Sequence, residues 1–411
     1  HSMSSISTPQ TTCRICESKN LVDIISFGKI YLSDFVTNNT KPPKSPLSLI
    51  MCRNCYLLQL KHTTPQSLLY TEHYGYKSGI NQTMQQELND IVEKSLAKVE
   101  KRYNEIVAVD IGANDGTLLK YYPKQIERIG VEPVKKLAKE CTTHADSVIN
   151  NFFTFEAYTK KLDSKKANIV TAISCFYDME EPNTFVADVK KILTDDGIFV
   201  IQQNYLVKML LQNAFDNVVH EHLEYYSLLS LQHLLKRHGL EVFDLELREL
   251  NGGSFRTFIC FEGKRQITNA VYEQIALEKL INLHRKKIYS DFAKRIRTVK
   301  KDVHSFIKTA VKDGKRVYLY GASTRGNTLL QYFDLDHTLI EKAVERNPEK
   351  WGKKIASVGI PIISEEQARE EKPDYMLVLP WFFKEEFLKR EQKYLQSGGH
   401  FIFRLPRLEI I

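Results

Sequence analysis

Apolar positions along this chain change their period from region to region. Through the first ~75 residues they come as short stretches broken by turn signals, among them Thr40-Lys41-Pro42-Pro43-Lys44-Ser45-Pro46, which suits a small, loop-rich unit. From Met84 to about Tyr103, Leu88, Ile91, Val92, Leu96 and Val99 recur at helical spacing and predict an amphipathic connector. Residues 106–111, 128–131, 169–173 and 197–202 are then short apolar runs separated by helix-like intervals. That alternation predicts a mostly parallel sheet covered on both faces. A charged segment with recurring apolar positions, 275–311, predicts a helix that separates off a second α/β unit. In that unit 316–320, 374–379 and 400–403 read as strands. The strand–glycine–helix opening therefore occurs twice, at Gly112 and at Gly321. The expected organisation is an α/β protein of three units, 11–75, 76–270 and 271–411.

Composition narrows the class. At 411 residues the chain exceeds one ordinary core, and 43% hydrophobic with 26% charged residues suits a folded enzyme. The +8 charge arises from 58 basic against 50 acidic residues spread along the chain, a mild excess that does not call for nucleic acid. No apolar run approaches the ~20 residues needed to cross a bilayer, and no signal core follows a basic start. A cytoplasmic protein with no membrane partner is expected. His1-Ser2-Met3 reads as a cloning remnant.

Four of the seven cysteines form two pairs, Cys13 with Cys16 and Cys52 with Cys55, each with two residues between. Each pair fits a tight knuckle, so four thiolates can surround one tetrahedral zinc. Four sulfur ligands leave no place for water or substrate, so the zinc is expected to be structural. Cys141, Cys175 and Cys260 lack a partner at ligand spacing and read as packing.

After the strand 106–111 comes Asp110-Ile111-Gly112-Ala113-Asn114-Asp115-Gly116-Thr117, where Gly112 and Gly116 let the backbone turn closely around a ligand. A dinucleotide loop would carry a further glycine where Asn114 stands. Asp110, Asn114 and Asp115 offer acceptors to a cationic cofactor and would repel a phosphate, which favours S-adenosylmethionine. Glu132, ending the next strand, is placed to accept from both ribose hydroxyls. Ser174, Phe176, Tyr177 and Asp178 lie where the sheet's carboxyl edge would meet the cofactor, with core packing as the other reading of the aromatic pair.

Val219-His220-Glu221-His222-Leu223-Glu224-Tyr225-Tyr226-Ser227 concentrates titratable and aromatic groups. A histidine can take a proton near neutral pH, a neighbouring carboxylate can orient it, and a tyrosine can hydrogen-bond a carbonyl or enolate oxygen. The spacing is not that of a zinc protease helix. Asn251-Gly252-Gly253-Ser254 adds a backbone element able to approach a substrate, or an ordinary strand connection.

Taken in order, these motifs resemble the nucleotide-sugar C-methyltransferases that act on keto-deoxyhexoses in making branched sugars for surface polysaccharides and natural products. The resemblance spans almost the whole chain and includes Tyr74-Gly75-Tyr76-Lys77-Ser78-Gly79. It implies a class I methyltransferase Rossmann-like domain flanked by an N-terminal zinc-binding domain and a C-terminal Rossmann-like domain. It also implies His222 as base with Glu221 beside it, and Tyr76 facing the sugar with Tyr74 as alternative. Lys77, His220, Tyr226 and Asn251 join the expected substrate side. The family usually carries tyrosine where this chain has Val219, so that hydroxyl's role would fall to Tyr76, Tyr225 or Tyr226.

The C-terminal unit then looks like the holder of a GDP- or dTDP-linked sugar. Ser323, Thr324, Arg325 and Asn327 can contact a diphosphate at a helix N-terminus. Arg346, Asn347 and Lys350 follow the next strand, and Trp381 or Phe382 could stack on a base. The resemblance implies methylation at C3 of a 4-keto-6-deoxyhexose, in which the keto group acidifies the C3 proton that His222 removes. The rival classes are a zinc-module RNA or protein methyltransferase, a nicotinamide-dependent sugar-nucleotide epimerase or reductase, and a noncatalytic binding protein.

Overall fold

A computed structural model describes residues 6–69, 77–379 and 384–411. Tyr74, Tyr76, Trp381 and Phe382 lie outside the described residues, as does the side chain of Asn251.

The central unit is a seven-stranded sheet. In spatial order its strands are Leu240–Arg248, Ser254–Phe261, Leu193–Asn204, Ala167–Ile173, Val107–Ile111, Glu127–Val131 and Ser147–Ile149. The last five run parallel, and Ser254–Phe261 is antiparallel to both its neighbours. Apolar residues crowd these strands because both faces are covered. On one face Ala108, Ile198, Val200 and Phe258 pack with Met84, Leu88, Ile91 and Val92 of helix Gln82–Leu96. On the other, Val109, Ile111 and Val170 share a core with Phe185, Val186 and Val189 of helix Pro182–Ile192.

The connector helix starts where Asn81 Oδ1 accepts the Met84 N–H at 3.0 Å, and stops at Leu96. It is shorter than its apolar pattern, since Val99 reaches the same cluster from the turn that follows. The charged segment 275–311 is likewise two helices, Asn269–Leu280 and Lys286–Lys312, interrupted where Asn282 adopts a left-handed φ of 63°.

The C-terminal unit repeats the doubly wound plan. Ile360–Ile363, Ala343–Val344, Val317–Tyr320, Tyr375–Val378 and His400–Phe403 lie side by side in parallel. The N-terminal unit is an antiparallel sheet of Leu21–Tyr31, Lys44–Cys52 and Leu58–Leu60.

These units share strands. Glu224–Tyr225, from the central unit, pairs with Leu58 and Gln59 as the edge of the N-terminal sheet. Phe35–Val36, from the N-terminal unit, pairs with Lys354–Ile355 and extends the C-terminal sheet. Among the described residues no helix is long and apolar enough to cross a membrane.

Candidate active site and zinc centre

In the central sheet the strand order reverses between Val107–Ile111 and Ala167–Ile173, and the crevice outside their carboxyl ends is where an open α/β sheet takes its ligand. A cavity of about 380 Å³ lies there, lined in part by Asp110, Gly112, Asn114, Glu132, Ser174 and Asp178. The glycine loop makes the approach close. Gly112 (φ 71°) lies against Cys175, whose Sγ would be 3.1 Å from an added Cβ, and Asn114 takes a left-handed φ of 56°.

Glu132 ties the loop to the next strand. Its Oε1 accepts the Asn114 N–H and its Oε2 the Val134 N–H, both at 2.8 Å. Each carboxylate oxygen keeps a lone pair for a further donor, and both ribose hydroxyls of an adenosine are donors. Asp110 is buried, accepts from Thr171 Oγ1 at 2.7 Å, and is pushed up to about 7 by desolvation and then by the nearby Glu132 charge.

The character of the wall selects the ligand. Asp110, Glu132, Asp178, Glu180, Glu181 and Asp188 all line the cavity, and no Lys, Arg or His does among the described residues. Among the described residues, the charged groups a pyrophosphate would meet there are all carboxylates. A sulfonium with an ammonium group meets its complement, so these residues fit S-adenosylmethionine.

The paired cysteines converge. Their four Sγ atoms lie within 4.8 Å of one another, with Cys13 to Cys55 and Cys16 to Cys52 each at 3.5 Å. That is too far for a disulfide and close to the ~3.8 Å expected between sulfurs sharing a tetrahedral zinc. Gln59 Nε2 donates to Cys13 Sγ at 3.3 Å, a second layer of support for a thiolate. Beside it, buried Arg14 donates from Nη1 to the Leu60 carbonyl at 2.5 Å and sits 3.9 Å from Glu224.

His222 does not line the cofactor cavity; with Tyr177, Asn217 and Tyr225 it lines a separate, small pocket. Tyr177, next to the cavity-lining Asp178, meets its ring edge-on at a centroid distance of 4.3 Å. His222 Nδ1 lies 2.8 Å from the Asn217 carbonyl. A carbonyl only accepts, so Nδ1 carries the hydrogen and Nε2 is left with its lone pair. Burial pushes the imidazole down to about 3, against smaller opposing effects of the Asn217 hydrogen bond and Asp216, so at neutral pH it is uncharged. Glu221 is buried and its carboxyl is pushed up to about 7.

Several residues expected at a ligand are committed elsewhere. Phe176 is fully buried against Phe185, Phe199 and Tyr226 and does not line the cavity. Tyr226 is equally buried, so it packs the core instead of meeting a sugar. His220 Nε2 lies 3.0 Å from the Ser45 carbonyl, and burial holds the ring near 4, which makes it a tie to the N-terminal sheet. Asp115 does not line the cavity; its Oδ2 accepts the Gly79 N–H at 2.9 Å, while Asn114 Oδ1 accepts from Ser78 at 2.9 Å. Gly116 permits close packing on Cys141, 3.0 Å from where a Cβ would sit.

In the C-terminal unit Asn327 donates to the Tyr31 carbonyl at 2.7 Å and accepts from Ser357, which makes it an inter-unit bond. Lys350 is buried, donates to the Ala322 carbonyl at 2.7 Å and lies over the Phe35 ring. Neither is presented to a ligand. Ser323 is exposed and Thr324 half-buried at the loop. Arg325 Nη2 is 3.4 Å from Asp216, Arg346 pairs with Glu365 at 3.6 Å, and Lys77 pairs with Glu140 at 2.9 Å. Sequence reasoning missed Glu180, Glu181, Asp188, Asp216 and Asn217. Only Asp188 had a signal, an acid on the apolar stripe of helix Pro182–Ile192.

Three family models match in succession: a zinc binding domain over residues 13–70, a methyltransferase domain over 80–245 and a C-methyltransferase C-terminal domain over 249–406. C-methyltransferase NovU of Streptomyces niveus is 30% identical over 417 residues, covering 100% of this chain and 99% of that protein. The chain belongs to the C-methyltransferase family. It is an S-adenosylmethionine-dependent methyltransferase with a class I Rossmann-like central domain and a four-cysteine zinc-binding domain. Solved structures are more distant. The Haloferax volcanii complex of a methyltransferase with its Trm112 activator shares 14% identity over 44% of this chain and 95% of that one, at a TM-score of 0.34. An S-adenosylmethionine-dependent methyltransferase of Clostridium acetobutylicum shares 10% over 44% and 92%, also at 0.34. Likeness this weak adds nothing to the family assignment. Membership of the C-methyltransferase family displaces the nicotinamide-dependent and noncatalytic readings.

Proposed function

We propose that this C-methyltransferase methylates C3 of a nucleotide-linked 4-keto-6-deoxyhexose, GDP- or dTDP-linked, in the biosynthesis of a branched deoxysugar. The observation that carries the reading is His222, an uncharged imidazole whose Nδ1–H is fixed on the Asn217 carbonyl and whose ring meets Tyr177, the residue before the cavity-lining Asp178. Carbon needs such a base, since a C–H must be ionised before it can attack. A 4-keto group acidifies the C3 proton, and the enolate charge that develops beside the ring favours the imidazolium against the burial that otherwise disfavours it.

When bound, S-adenosylmethionine supplies an electrophilic methyl group. Glu132 and Asp110 hold its ribose and cationic ends. His222 Nε2 accepts the proton from C3, and the electron pair left on carbon delocalises onto the C4 oxygen as an enolate. Glu221 stands beside His222 in sequence, with Tyr76 and Tyr74 as the candidate hydroxyls on the sugar side. Ser323, Thr324 and Arg325 form the candidate diphosphate side, with Arg346 beyond them.

The test is incubation with methyl-labelled cofactor and a panel of 4-keto-6-deoxy nucleotide sugars, with product position read by NMR. Label at sugar C3 is the expected result, and label on no sugar overturns the substrate. Replacing His222→Asn should leave cofactor binding intact and stop solvent-deuterium exchange at C3. Exchange at the parental rate in that variant removes His222 as the base.

A further inference from the structure

The short turn Phe215–Asn217 joins two unlike attachments on adjacent residues. The Asn217 carbonyl orients the His222 imidazole at 2.8 Å. The Asp216 carboxylate, 1% exposed, reaches into the C-terminal unit, where Oδ2 accepts from Arg404 Nη2 at 3.0 Å and Oδ1 lies 3.4 Å from Arg325 Nη2. A second hold comes from the central sheet, where Asn204 Nδ2 donates to Asn217 Oδ1 at 2.5 Å.

From this geometry we infer that Asp216 is a positioning residue for His222: two guanidiniums of the C-terminal unit fix its carboxylate, and the next carbonyl in the chain fixes the base. The inference rests on the reading of His222 as the base. It assigns the C-terminal unit a part in proton abstraction as well as in holding substrate, because Arg325 opens the helix Arg325–Tyr332 directly after Ser323 and Thr324. A carboxylate buried between two arginines has few alternative positions, since moving it would break its contacts with both guanidiniums. The turn is therefore stiff when the units are docked. A carbonyl displaced by about 1 Å would lose its hold on Nδ1, and misplacement of that size costs on the order of 100-fold in rate.

The experiment uses the full chain, a dTDP- or GDP-linked 4-keto-6-deoxyhexose and histidine labelled with nitrogen-15. Asp216→Asn is expected to keep cofactor affinity within twofold, measured by calorimetry, and to slow C3 deuterium exchange about 100-fold. Its His222 ring signal, assigned by its loss in His222→Asn, should change from the Nδ1–H tautomer to a mixture. A merely structural residue would not move that signal. Should Asp216→Asn fail to fold, Asn204→Ala loosens the same turn without unbalancing charge, and it must slow exchange and mix the tautomers. Parental exchange and an unchanged ring signal in the folded variant overturn the inference, provided His222→Asn is exchange-dead. Should His222→Asn itself exchange normally, the base assignment fails and this inference falls with it.

Discussion

Asp110 is the residue at which the cofactor's charge should be felt most directly. Its carboxyl titrates near 7 because burial and the neighbouring Glu132 disfavour the anion, and Thr171 only partly compensates. A bound cation reverses that balance by favouring the anion. Affinity for S-adenosylmethionine should therefore rise as pH increases through about 7, with proton release on binding. Calorimetry in buffers of different ionisation enthalpy checks this, and Asp110→Asn should abolish the pH dependence. The sign for folding is opposite. Between the ordinary carboxylate range and about 7 the native chain keeps a proton that the unfolded chain has lost, so Asp110 and Glu221 make stability fall as pH rises across that window. Glu132→Gln weakens two charge-assisted bonds to backbone N–H groups, each worth roughly 1.5–3 kcal/mol. It should lower cofactor affinity at least ~10-fold and reduce thermal stability. Gly112 and both acids were legible in sequence because spacing after a strand fixes their place, whereas Gly116, expected at the cofactor, packs on Cys141. Phe176 and Asp115 were not, since one residue along a strand-to-helix loop decides whether a side chain faces the crevice, the core or the next segment.

At the scale of elements, the zinc knuckle and the His222 segment form one structure. Arg14 lies between the paired cysteines, hydrogen-bonds Leu60 and faces Glu224, while Glu224–Tyr225 pairs with Leu58 and Gln59. Removing the metal would let the four cysteines take up protons, break their common tie and free the loop that carries Arg14. Chelation, or Cys16→Ser, should lower the first melting transition. It should also speed amide exchange at Leu58, Leu60 and the segment 223–226 while leaving the segment 107–111 protected, as read by hydrogen-exchange mass spectrometry. Equal exchange at 223–226 with and without metal would separate the two elements. The long strands and helices were readable from period alone, since each buries a face continuously. Glu224–Tyr225 was not, because two residues carry no period and their partner lies more than 160 positions away.

At the scale of the molecule, the three units were legible as stretches of sequence, but not their interlocking. Phe35–Val36 sits in a turn-rich stretch with no strand signal of its own, and it becomes a strand only because Lys354–Ile355 offers an open edge. Asn327, expected at a ligand, instead bonds the Tyr31 carbonyl across the same junction, held by Ser357 of its own unit and with Gln331 sharing the carbonyl. Strands shared between sheets couple their unfolding, because neither sheet keeps its full set of backbone hydrogen bonds when the other melts. The N-terminal and C-terminal units should therefore melt together, with zinc release coincident with loss of the C-terminal sheet. Asn327→Leu leaves the Ser357 hydroxyl without this acceptor, a loss of about 1–3 kcal/mol, and leaves the Tyr31 carbonyl with only the longer bond from Gln331. The expected result in scanning calorimetry is a single transition split in two, the C-terminal unit melting first and a zinc-release dye reporting the later one. Because Asp216 is clamped by Arg325 and Arg404 of that unit, methyl transfer should be lost with the first transition, before the zinc leaves. Activity surviving until zinc release would show that the central domain holds its base without the C-terminal unit.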